Sequence, residues 1–217
     1  MERLTTTPAL LKSNKIKGLS NYAQKHHEQD KEISLLTILE NYGMKCFFSC
    51  FKAAQQDRID VKKAALKLAM RFSTRVLPMR SGEIVHEPTI MDCLDRAKNW
   101  LETPSETAFE IREGAKTNTI SEAAADVARL ATYSSVNKIY ASPAAIMSIA
   151  WCGWTASSAS EIVNNNNALS IDLTAMAAHS TALWACKALE NAEQDEKQKQ
   201  IEIIQNFLTK GEDTCWF

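Results

Sequence analysis

The chain has 217 residues, 45% of them hydrophobic and 24% charged, with a formal net charge of -1. That length supports one large core without disulfides. The near-neutral balance excludes the strongly basic profile of a dedicated nucleic-acid or membrane-surface binder.

The helical period recurs nearly throughout, and strand alternation occurs almost nowhere. Thr7 and Pro8 form an N-cap and N1 pair that opens a first helix, with Gly18 as its stop. Asp30 caps "KEISLLTILENY" and Gly43 ends it; "MKCFFSCFKAA" follows as a short helix with Cys46 and Cys50 on one face. Asp60 caps "VKKAALKLAMRFSTRVL", which Pro78 ends because proline disfavours helix in the residue before it. Pro88 opens "PTIMDCLDRAKNWLE", and Pro104 interrupts the chain again. "SETAFEIREGAK" is a further expected helix, and Ser121 caps "EAAADVARLATYSSVNKIY". Ser142 and Pro143 start "AAIMSIAWCGWTASSASEIV", which falls short of the ~18 consecutive apolar residues of a membrane span and is expected to be a buried helix. The asparagine run 164–167 separates it from "ALSIDLTAMAAHSTALWACKALENA". "EKQKQIEIIQNFLTK" closes the set before Gly211 and the tail "EDTCWF".

The expected fold is therefore all-α: a single-domain antiparallel bundle of about eight or nine helices over residues 1–217. Within it, 1–29 is an N-terminal helical extension, 30–104 a first helical half, 105–210 an Ala-rich half, and 211–217 a tail. Close-spaced Ala and Ser in the last long helices let helix axes approach to about 8 Å. Trp151, Trp154 and Trp184 are expected to fill the wider gaps.

Chemistry-bearing patterns are sparse. The six cysteines are expected as free thiols in a reducing cytoplasm, because four lie in apolar helical patterns and the first 18 residues carry no apolar signal region. Cys46 and Cys50 offer two thiolates, but no spacing among His26, His27, His86 and His179 completes a metal set, so neither metal nor cofactor is expected. No motif places a nucleophile beside a base, and the six scattered glycines form no phosphate loop. Lys12, Lys15 and Lys17, with Arg71 and Arg75, offer a limited basic surface, though interspersed acids make nucleic acid a poor candidate.

The richest polar segment is "RVLPMRSGEIVHEP", residues 75–88, which carries Arg75, Arg80, Glu83, His86 and Glu87. Its prolines punctuate helices, and Arg75 and Glu87 suit the helix ends they flank. These five residues are the candidates for partner binding. A second candidate is a ligand pocket between the Ala-rich helices, with Trp151, Trp154, His179 and Trp184 as lining and Arg71 beside Arg75 as an anion clamp.

The segment "KKAALKLAMRFSTRVLPMRSGEIVHEPTIMDCLDRAKNWLETP" resembles the immunity proteins of bacterial polymorphic-toxin systems, the group often called type-five-like. The Ala-rich segments "AAADVARLATYSS", "AAIMSIAWCGWTASSAS" and "LTAMAAHSTALWACKALE" are similar to that family's second half, and the likeness covers roughly residues 30–190. The chain departs from the family in carrying few histidines and an asparagine run. The resemblance implies an all-α fold and a non-enzymatic inhibitor that binds a toxin or defence effector protein. Its alternatives are a counter-defence protein of a phage or mobile element, binding a host protein or sequestering a small signalling nucleotide, and a homo-oligomeric module that associates through "CWF" or an Ala-rich face.

Overall fold

The computed structural model describes residues 4–16, 18–19, 31–77, 79–80, 83–84, 88–104, 107–108, 119–137, 142–162, 167–189 and 193–210. At 79–80, 83–84, 107–108, 119, 133–137, 161–162, 167 and 193–194 the description is of the backbone alone.

The fold is an all-α bundle. Its helices are α1 (Pro8–Ser13), α2 (Leu35–Ser49), α3 (Arg58–Thr74), α4 (Pro88–Glu102), α5 (Thr119–Asn137), α6 (Pro143–Ser160), α7 (Asn167–Ala188) and α8 (Glu193–Lys210). A 3-10 turn, Phe51–Ala53, follows α2. No helix among the described residues is long and apolar enough to cross a membrane.

Helices α6 and α7 form the hub. The Ser148 hydroxyl of α6 donates to the Thr181 carbonyl of α7 at 3.0 Å, and Ser170 of α7 donates to the Ser158 carbonyl at 3.2 Å. Rising numbers on one helix meet falling numbers on the other, so the pair is antiparallel. Both bury small residues against each other, among them Ala145, Ala156, Ala178 and Ala182. Buried hydroxyls are satisfied along the helix: Thr155 donates to the Trp151 carbonyl, and Thr174 to that of Ser170. Around the hub, α3, α4 and α5 pack on α6, while α2, α3 and α8 pack on α7.

Helix α3 also runs antiparallel to α6. Its Lys62, only 1% exposed, donates through Nζ to the Ala159 carbonyl at 3.1 Å. That places an ammonium at the negative end of the α6 dipole. Five cysteines are free thiols, and burial pushes Cys50 and Cys152 up to about 12, well above physiological pH. Cys215 and the tail "CWF" lie outside the described residues.

Some helix ends fall where expected, and others differ for a local reason. Gly43 ends a helical run as expected. It takes φ 75° and ψ 178°, a glycine-only conformation that breaks α2 at a kink into two helical runs, 35–42 and 44–49. The cap of α2 is Ser34, whose hydroxyl accepts from the Leu36 amide; Asp30 lies outside the described residues. The cap of α3 is Asp57, which accepts from the Ile59 amide, so Asp60 falls in the first turn. Helix α5 starts at Thr119, two residues before Ser121. Thr7 and Pro8 open α1 as expected.

Short strand pairs also occur. β1 (Thr5–Thr6) pairs antiparallel with β2 (Ile33–Ser34), in the register Thr5 with Ser34 and Thr6 with Ile33. β3 (Met79–Arg80) and β4 (Glu83–Ile84) form an antiparallel hairpin. β5 (Thr107–Ala108) pairs in parallel with β6 (Glu161–Ile162), so the start of the expected "SETAFEIREGAK" helix is extended; 109–118 lie outside the described residues. β1 matters for the site. The Thr6 hydroxyl donates to the Ala53 carbonyl, and the Thr5 amide to Gln56 Oε1 at 2.9 Å. With Leu4, Leu11, Ile16 and Leu19 in the core, the amino-terminal stretch is tied against the end of α2.

Candidate functional site

Three segments meet beside the kink in α2. The first is the turn after α1, where Lys15 takes φ 50° and Gly18 φ 88°. A Cβ on Gly18 would lie 3.4 Å from the Cys46 sulfur, so this turn runs close against α2. The second is the far half of α2 with the 3-10 turn, supplying Lys45, Cys46, Phe48, Ser49 and Lys52. Positions 45, 48, 49 and 52 follow i, i+3, i+4, i+7 spacing and share a face. The third is α7, which supplies Asp172, Met176 and His179 at i, i+4 and i+7. Together with Ile16 they enclose a cleft of about 650 Å³.

The cleft mixes charged and apolar side chains on each of its three walls. Lys52 Nζ pairs with Asp172 Oδ2 at 3.2 Å and bridges the 3-10 turn to α7. Lys15 and Lys45 are exposed and make no ion pair among the described residues. The His179 ring lies tilted over buried Phe48, with centroids 5.6 Å apart. Burial, and secondly the Lys45 charge, hold His179 below its ordinary pKa. Burial raises the Cys46 thiol, and Lys45 opposes this only in part.

A pH dependence follows. The folded protein disfavours protonated His179, so the unfolded chain binds the proton more readily. The stability this contributes is present above the unfolded pKa, near 6.5, and is lost as pH falls through the lower folded value. Urea unfolding of wild type should therefore weaken more between about pH 7.5 and pH 5 than unfolding of His179→Gln. Identical losses in the two proteins would contradict this.

Next to the cleft, α7 presents an inverted face. It buries Ser170, Thr174, Ala175, Ala178, Thr181, Ala182 and Ala185 while leaving large apolar side chains in solvent. Met176 is 60% exposed, Leu183 43%, and Leu169 and Leu173 each 39%. With Ser180, these positions run 169, 173, 176, 180, 183, a 4-3-4-3 spacing that matches the seam of a heptad coiled coil. The row spans about 21 Å along the helix. Lys187 continues it, its Nζ over the Trp184 ring at 4.4 Å.

The expected site residues are distributed as follows. His179 lines the cleft; Arg71, Trp151, Trp154 and Trp184 do not. Trp151 and Trp154 make a T-shaped pair on α6, with centroids 5.0 Å apart. Arg71 and Arg75 both face α8. Arg71 lies over the Phe207 ring at 5.6 Å, and Arg75 grips Glu196 with two hydrogen bonds, Nε to Oε1 at 2.9 Å and Nη2 to Oε2 at 2.8 Å. Arg80 and Glu83 face each other in register across the β3–β4 hairpin, their side chains outside the description. His86 and Glu87 lie outside the described residues. Among the described residues, no three His, Cys, Asp or Glu side chains are grouped to hold a metal ion.

No family model, curated protein or solved structure matches this chain. The geometry itself has to carry the functional reading. Lys45, Lys52, Asp172 and Met176 were not singled out from sequence, although both helical spacings were visible there. What was missing was the neighbour: neither stripe suggests a site until the turn after α1 closes the third wall.

Proposed function

We propose that this protein is a non-enzymatic helical inhibitor that binds and neutralises a toxin or defence effector protein, with the outer face of α7 as its docking surface. The observation that carries this reading is the exposed row Leu173, Met176 and Leu183, extended by Leu169. Contiguous apolar side chains left in water mark interaction surfaces. The heptad spacing suits an amphipathic helix of the partner, packed at about 20° with its own apolar row facing the seam. The resemblance of residues 62–104 to immunity proteins points to the same class of activity.

Charge selects between a foreign helix and a second copy. The basic cleft adjoins Met176, near the middle of the seam. Two copies paired about a two-fold axis would bring two such clefts together, with like charges opposed. A partner helix with acidic residues along that flank meets Lys15 and Lys45 favourably. A host protein bound by a counter-defence protein would use the same surface.

The test is co-expression with the products of adjacent genes, followed by measurement of complex formation and of rescue from toxicity. Leu173→Asp with Leu183→Asp should weaken the complex at least about thirtyfold, the loss of one hot spot of about 2 kcal/mol, and up to about a thousandfold if both sites are hot spots. Folding stability should fall by about 1–2 kcal/mol per substitution, because more than half of each leucine is still covered and aspartate is a weaker helix former, so the variant stays folded at neutral pH. Unchanged binding and rescue by the double variant would overturn the reading. So would a seam-mediated homodimer in light scattering.

A further inference from the structure

We infer that the cleft between the turn after α1, the far half of α2 and α7 is a binding site for a small organic phosphate with a flat apolar body. This goes beyond the docking reading, because it needs no protein partner.

The charge balance comes first. Three lysines face one carboxylate, and the Lys52–Asp172 pair at 3.2 Å leaves Lys15 and Lys45 as the cations that make no ion pair among the described residues. Two ammonium groups match a phosphate dianion, which lysine binds as a point charge. A cation is disfavoured at the same place, since these lysines repel it and the one carboxylate is already paired. The same three segments supply the apolar half. Ile16 and Phe48 are core residues and therefore fixed in position, and Met176 forms a flexible lip. His179, tilted over Phe48 and held neutral at physiological pH by its burial and by Lys45, adds an uncharged ring rather than a third cation. A flat group can lie against Phe48, His179 and Met176 while its phosphate reaches Lys15 and Lys45. The volume of about 650 Å³ is in the range of small-molecule sites. A mononucleotide has the required chemistry, as does any aryl phosphate.

His179 is the natural reporter. The full chain, labelled for NMR, is titrated with phenyl phosphate, with inorganic phosphate and with phenol. Phenyl phosphate should give saturable shifts of the His179 ring with a Kd below about 1 mM. It should also raise the His179 pKa, because the bound anion offsets the Lys45 charge. Inorganic phosphate and phenol should each bind at least about tenfold more weakly. Lys15→Asn with Lys45→Gln should weaken phenyl phosphate at least about tenfold at an unchanged thermal midpoint; asparagine is chosen because it tolerates the left-handed φ at position 15. Three results would each overturn the proposal: no saturable shift at His179, equal affinity for inorganic phosphate or phenol, or undiminished binding by the lysine double variant. Leu173→Asp with Leu183→Asp should leave this binding intact, since neither residue lines the cleft. A failure here is thus separable from a failure of the docking surface.

Discussion

Arg75→Ala should cost about 3–5 kcal/mol of folding stability, far more than a half-exposed arginine normally contributes. The asymmetry of the pair is the reason. The Arg75 side chain is 33% exposed, whereas the Glu196 carboxylate is fully buried. Both Glu196 oxygens accept from the guanidinium, at 2.9 and 2.8 Å, a bidentate geometry that lysine cannot reproduce. The remaining contact is weak, a 3.5 Å approach of Gln200 Nε2 to Oε1. Truncating Arg75 leaves a buried charge without its main partner and loosens α8 from the end of α3. Glu196→Gln should cost less, because the arginine it leaves behind still reaches water. Arg75→Met with Glu196→Leu should recover most of the loss, since replacing both partners with apolar groups removes the desolvation penalty itself. Urea unfolding at neutral pH reads all three variants. A loss below about 1 kcal/mol for Arg75→Ala would show that water reaches Glu196 in solution.

This pair also shows where the sequence speaks and where it falls silent. The dipole argument placed Arg75 at a helix end, and it is the C-cap of α3. Nothing local indicated that its partner lies 121 residues away on α8. The helices were legible because 3.6-residue periodicity and capping are short-range, and the Thr7–Pro8 and Pro143 starts hold to the residue. Helix ends that depend on competition between neighbouring caps were not: Asp57 and Asp60 are both good caps, and the chain uses the first. Gly43 was legible for the same short-range reason: glycine takes the positive φ that ends one helical run, and a second run follows at once.

The site was legible only in part. His179 was visible as a lone histidine on an Ala-rich helix, and it does line the cleft. The tryptophans drew attention by size, yet Trp151 and Trp154 pair with each other on α6, Trp154 against the core, and neither lines the cleft. The outer face of α7 was hidden by the assumption that large apolar residues go inside. In this helix the close approach to α6 is made by Ala, Ser and Thr, so Leu173, Met176 and Leu183 are displaced to the surface. The 4-3-4-3 spacing was in the sequence throughout; its meaning depends on which side of α7 the hub occupies.

The tightest part of that hub gives the other large effect. Gly153→Ala should destabilise the protein by about 3 kcal/mol or more, at the upper end of what one added methyl group costs in a packed core. An ideal Cβ at this position would lie 2.5 Å from the Cys93 sulfur on α4 and 2.9 Å from the Ala124 Cβ on α5. Both neighbours are fully buried, and the Cys93 thiol is oriented toward the Ile149 carbonyl at 3.8 Å, so neither can rotate into solvent. Helix α6 would have to move off two helices at once, and its contact with α7 would move with it. Rescue should be specific and partial. Adding Cys93→Ala removes the 2.5 Å overlap and should recover part of the loss, while the Ala124 contact remains; adding Ala124→Gly as well should recover more, less the helix-propensity cost of the new glycine, about 1 kcal/mol. If Gly153→Ala instead unfolds at the wild-type urea concentration, the α4–α5–α6 junction is looser than these distances require.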